Sequence, residues 1–142
     1  MSARDWLLKH YPVPADDPAA TASDVAATEH GLLKWEGTRR AVLEEHGLRW
    51  LGGDVVERTG ELVLATDADT CALCARHVRG RHTPGVGFTG TCDTCPIAEV
   101  TPDGDCLATW ERCCASGDPE PMIDLLRQAL VVARRRGYEG DG

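Results

Sequence analysis

The chain has 142 residues, 42% of them apolar, and a formal net charge of −8. That length suits one ordinary domain with a core of its own, so a metal is not needed merely to fold. The acidic balance argues against a general nucleic-acid binder, which needs a broad cationic surface. It fits a protein that binds another protein, especially a basic one.

Charge divides unevenly: residues 1–70 carry −6, residues 71–95 carry +2 and residues 96–142 carry −4. No stretch approaches the ~18 apolar residues of a membrane span. The N-terminal Met-Ser-Ala-Arg-Asp-Trp-Leu-Leu-Lys-His has charges inside its short apolar run, unlike a signal peptide. The expected location is cytoplasmic, so the seven cysteines are expected to be reduced and free to bind metal.

Taken in chain order, residues 2–10 read as a helix capped by Ser2 and stopped by Tyr11-Pro12. Residues 12–21, with three prolines, read as a connector. A second helix is expected from Ser23 to Glu36, with Val25, Leu32, Leu33 and Trp35 on its apolar side. After Gly37, Thr38 is expected to cap a third helix that runs to His46, with Val42 and Leu43 inward and Gly47 closing it. The two helices form an αα-hairpin candidate.

Residues 54–58 and 61–66 alternate around Thr59-Gly60 and read as a β-hairpin. The cysteine segment spans about 70–95, and residues 96–105 read as loop. Cys106 to Cys114 reads as a short helix. The last helix is the best marked: Asp118 as N-cap, Pro119 at the first position, then Met122, Leu125, Leu126, Ala129, Leu130 and Ala133 at helical spacing. Arg134, Arg135 and Arg136 suit its C-terminal dipole, and Gly137 is expected to end it.

Cys71-Ala-Leu-Cys74 is followed, after seventeen intervening residues, by Cys92-Asp-Thr-Cys95. Two residues between cysteines let one tight turn aim both sulfurs at one ion, and two such turns supply a tetrahedron suited to Zn²⁺. Cys71, Cys74, Cys92 and Cys95 are therefore the expected ligands of a closed, structural zinc. Arg76, Arg79 and Arg81 lie close enough in sequence to offset its charge. Cys106 is an alternative ligand, and His77 and His82 rank below it. Iron is the next metal, since Cys-x-x-Cys turns also hold iron and Pro96 follows Cys95 as in some iron–sulfur sites. A redox dithiol ranks lower because neither pair is expected to open a helix after a strand in a βαβ setting.

No catalytic pattern emerges. There is no His-Glu-x-x-His, no Gly-x-Ser-x-Gly, no P-loop, and no His followed two residues later by Glu. An enzyme is not expected.

From Thr70 to Leu130 the order Cys-Ala-Leu-Cys, Cys-Asp-Thr-Cys-Pro-Ile, Cys106, Trp110 and Pro121-Met-Ile-Asp-Leu-Leu resembles a group of small Cys-rich proteins of phages and prophages. In that group two Cys-x-x-Cys turns, the second followed by Pro, precede a further Cys and a C-terminal helix. The resemblance covers about half the chain. It implies that Cys106 belongs with the first four cysteines, and that Cys113 and Cys114 are additions. It also implies a mobile-element setting, in which small acidic proteins act on host proteins by binding them.

The expected architecture is a single α+β domain over residues 1–142: a helical part (1–52), a metal-binding part with the hairpin and a zinc knuckle (53–117), and an amphipathic C-terminal helix (118–142). The expected function is a non-enzymatic, zinc-stapled, cytoplasmic protein-binding module aimed at a host defence or regulatory protein. Two alternatives stand beside it. One is a zinc-ribbon nucleic-acid binder using Arg76, Arg79, Arg81 and His82. The other is a redox or metal sensor using Cys106, Cys113 and Cys114.

Overall fold

A computed structural model describes residues 2–78, 82–83, 87–88 and 92–138. The fold is α+β, helix-rich, with a small antiparallel sheet and a long C-terminal helix. In order come α1 (Ala3–His10), α2 (Pro18–Thr21), α3 (Asp24–Glu36), α4 (Arg40–Glu45), β1 (Leu48–Leu51), β2 (Asp54–Glu57) and β3 (Leu62–Ala65). These are followed by α5 (Ala72–His77), a short ladder of β4 (His82–Thr83) and β5 (Gly87–Phe88), α6 (Leu107–Ser116) and α7 (Glu120–Tyr138).

Local chemistry sets most of these ends. Ser2 Oγ accepts from the Asp5 N–H at 3.2 Å while the Asp5 carboxylate accepts from the Ser2 N–H at 2.9 Å, a reciprocal capping box. Ser23 caps α3 through the Ala26 N–H. The connector expected over 12–21 contains a helical turn, α2, because Asp17 caps it and Pro18 presets its first φ. Thr38 does not cap α4; its hydroxyl donates back to the Trp35 carbonyl at 2.7 Å, and Arg39 holds the cap position without a side-chain bond. Asp118 caps α7 through the Glu120 N–H at 3.0 Å, and the helix continues past Gly137 to Tyr138.

The sheet has the order β1-β2-β3. Its first strand lies within residues 1–52, expected as the helical part, just after the expected end of the third helix. Gly52 and Gly53, with φ of +57° and +97°, join β1 to β2 by a two-residue turn that needs positive φ at both positions. The expected hairpin pairs Val55 with Leu64 and, across a bulge, Val56 with Leu62. The αα-hairpin is replaced by other partners: α3 lies along α7 and α5, and α4 lies on β1.

Two apolar clusters result. Trp6, Leu43, Leu48, Val55 and Leu64 form one, beneath the sheet. The larger one joins α3, α5, α6 and α7 through Ala27, Trp35, Leu73, Ile97, Ile123, Leu126 and Ala129. Tyr11 and Trp50 touch both. Helix α1 clamps the end of α3: Trp6 Nε1 donates to the Gly37 carbonyl at 2.9 Å, and His10 Nδ1 pairs with the Leu33 carbonyl at 2.8 Å.

Candidate metal centre

Helix α3 is buried on more sides than its apolar residues predict. Asp24, Thr28, His30 and Lys34 are all buried, while Leu33 faces outward. This matters because two of those polar residues organise the cysteine segment.

Thr70 ends a 3₁₀ turn (Ala68–Thr70), and Cys71 is the N-cap of α5. The first Cys-x-x-Cys thus opens a helix that follows a strand and a 3₁₀ turn, but no βαβ unit surrounds it among the described residues, since β1, β2 and β3 are antiparallel. The Cys74 N–H donates to Cys71 Sγ at 3.5 Å. Cys92 lies in a second 3₁₀ turn (Cys92–Thr94), Cys95 leads into a third (Pro96–Glu99), and Cys106 is the N-cap of α6.

These separate elements bring five cysteines to one place. Cys71, Cys74, Cys92, Cys95 and Cys106 line a single cavity of about 10 Å³, walled by Leu73, Val78 and Ile97 with Asp105 at its edge. That space takes one occupant of atomic size. The four expected ligands are therefore together, and the alternative, Cys106, is with them. Among the described residues, no three His, Cys, Asp or Glu side chains are drawn up as a ready ligand set around an ion. The donor chemistry nonetheless fits a thiophilic metal, with apolar walls and more sulfurs than a tetrahedral ion needs.

The other expected residues go elsewhere. His77 sits with Nε2 2.6 Å from Asp24 Oδ1 and Nδ1 2.9 Å from Thr94 Oγ1. Both ring nitrogens are committed, so His77 is a brace and not a ligand. Arg76 donates to Asp24 Oδ1 and to the Thr21 carbonyl. Arg79, Arg81 and the side chain of His82 lie outside the described residues. Cys113 is fully buried in the large cluster. Cys114 Sγ lies where a Cβ on Gly53 would meet it at 3.1 Å. The proposed sensor trio of Cys106, Cys113 and Cys114 is not gathered.

Sequence reasoning missed Lys34. Its side chain is 1% exposed, and Nζ donates to the Thr70 carbonyl at 2.8 Å and to Thr70 Oγ1 at 3.1 Å. Burial pushes this ammonium below its ordinary value, opposed by the charges of Cys71, Cys74, Asp67 and Cys106. Lys34 places a cation next to Cys71 and Cys74. The available signal was a lysine at helical spacing between Gly31 and Trp35 on a face that packs inward.

The thiols themselves are unequal. A thiol–thiol hydrogen bond pulls Cys71 down to about 5, helped by Lys34, and the same bond pushes Cys74 up. Burial pushes Cys95 and Cys106 up to about 12. Ionising all of them in this place without a counter-charge is unfavourable, and a divalent ion is the charge that offsets it.

Asp24 is the second organiser. It is 2% exposed and receives Arg76 and His77 on Oδ1 and Arg136 on Oδ2 at 3.1 Å. Burial works to raise this carboxyl, but Arg76, His77 and Arg136 together hold it below the ordinary carboxylate value. Arg136 also donates to the Thr94 carbonyl at 2.7 Å and to Glu99 at 2.8 Å. The turns carrying Cys92 and Cys95 are thereby tied to α3, α5 and α7.

No family model, curated protein or solved structure matches the chain. Among the described residues no helix is long and apolar enough to cross a membrane.

Proposed function

We propose that the chain is a small protein-binding module stapled by one zinc ion, held by four of Cys71, Cys74, Cys92, Cys95 and Cys106. The observation that carries this reading is the convergence of five cysteines from four separate turns and helix starts on one ion-sized cavity. Four thiolates close a tetrahedron and leave no open position for substrate, so the metal's role is to hold the fold. Its partner is a basic face of a host protein, met by the chain's acidic surface in the cytoplasm. The likeness of the cysteine order to small phage and prophage proteins supports that setting. Elemental analysis of the purified, reduced chain tests the staple: about one zinc per chain is expected, and absence of both zinc and iron would end the reading. Salt-sensitive retention of a basic host protein by the metal-loaded chain tests the partner.

A thiol redox centre is the second reading, favoured by Cys71 at the start of α5 with the Cys74 N–H on its sulfur. The two readings separate by alkylation. In a stapled protein Cys71 is unreactive until a chelator is added. In a redox protein it reacts at once under reducing conditions, and a Cys71–Cys74 disulfide forms on oxidation.

A further inference from the structure

Behind the cysteines lies a second, larger cavity of about 420 Å³. Protein interiors are close-packed, and a space of this size falls in the range of small-molecule sites. Its floor is apolar and deep: Trp35, Met122 and Leu126 are all under 5% exposed. Gly31 leaves the space open, since a Cβ there would meet only Leu126 side-chain carbons, at 3.7 Å.

The polar groups in the wall are already engaged. Lys34 is bound to Thr70, Trp110 Nε1 donates to the Thr66 carbonyl, and Thr66 Oγ1 donates to the Gly53 carbonyl. The mouth differs. Asp67 and Asp105 stand there beside the exposed Leu107. One oxygen of each carboxylate accepts a backbone N–H, from Asp69 and Leu107 respectively. The other oxygen of each accepts no hydrogen bond among the described residues. An anionic head at this mouth would meet two carboxylates, with cysteine sulfurs in the wall behind them. A cationic head would meet two free acceptors.

We infer that this cavity is a binding site for a small amphipathic organic cation, its ring or chain against Trp35, Met122 and Leu126 and its ammonium between Asp67 and Asp105. The inference does not depend on the protein-binding reading. The cysteine wall is shared with the metal centre, so the metal-loaded protein is the form that binds.

Calorimetric titration of the reduced, zinc-supplemented full chain with phenylbutylamine, phenylbutanol and phenylbutyrate at low salt tests this. Saturable binding is expected in the order amine, alcohol, acid, with amine over acid by roughly tenfold or more. Asp67→Asn is expected to erase the amine's advantage over the alcohol and leave alcohol binding in place. Gly31→Met is expected to fill the floor and abolish both. Titration of the unaltered chain gives a reading that needs no variant. The indole N–H resonances of Trp35 and Trp110 should shift with amine, and that of Trp6 should not. No saturable binding, acid bound as tightly as amine, or a shift confined to Trp6 would overturn the proposal.

Discussion

The two apolar clusters are held by different means. The sheet-side cluster closes within residues 3–65, between a capped helix, a glycine turn and a hairpin. Its buried members are all apolar. The cysteine side has the larger apolar cluster, yet it depends on polar ties across long sequence distances. Asp24 meets Arg76 and Arg136, and Lys34 meets Thr70. Such ties are strong only while each buried charge keeps its partner. The cysteine segment adds five thiols around a space that apolar packing does not fill. The difference teaches where a metal would act: on the side whose turns have little regular structure to hold them.

The largest difference between the two sides is expected at the proposed zinc. Structural zinc is worth on the order of 10–16 kcal/mol, against about 5–15 kcal/mol for a whole domain. Replacing Cys71 and Cys74 together by Ser leaves three thiols at the cavity and is expected to lose the ion and to melt residues 70–106, seen as loss of their amide resonances, with the sheet retained. Asp24→Ala comes next. It leaves Arg76, His77 and Arg136 without their shared carboxylate, at a cost of about 3–5 kcal/mol read from the urea midpoint. The sheet side has its own weak point at Gly37, where an added Cβ would lie 2.6 Å from the His10 ring. Gly37→Ala is expected to cost about 1–3 kcal/mol, and His10→Ala in the same chain to recover part of it.

A pH scan sharpens the contrast with a smaller effect. Burial holds both His10 and His77 below the ordinary imidazole value, so the folded state binds fewer protons than the unfolded chain. Their contribution is present above about pH 6.5 and is lost as pH falls through the folded values. The urea midpoint should therefore drop between about pH 7.5 and pH 5. His10→Gln and His77→Gln should each remove part of that drop, one from each side of the molecule.

What could be read from the sequence follows the same division. Ser2, the hairpin around Gly60, the cap at Asp118 and the apolar spacing of α7 are local features, and each stands as expected. Strand β1 escaped because Leu48-Arg49-Trp50-Leu51 is too short to show a period, although Gly52-Gly53 before β2 carried its turn. Spacing alone marked Cys71, Cys74, Cys92 and Cys95 as one set, and the structure lines one cavity with them and Cys106. The partners of Arg76 and His77 were not legible. Asp24 lies 52 residues before Arg76, and proximity in sequence had suggested that the arginines offset the metal's charge. Lys34 holds the position beside Cys71 and Cys74, brought there by the packing of α3 and not by its neighbours in the chain.

The central claim is that a metal holds the cysteine side and leaves the sheet side to its own packing. Hydrogen exchange on the reduced full chain, with stoichiometric zinc and then with a chelator in excess, tests it most directly. Chelation is expected to strip protection from α5 and residues 92–106 while β1, β2 and β3 keep theirs. Equal protection with and without the metal, or uniform loss across both sides, would contradict it.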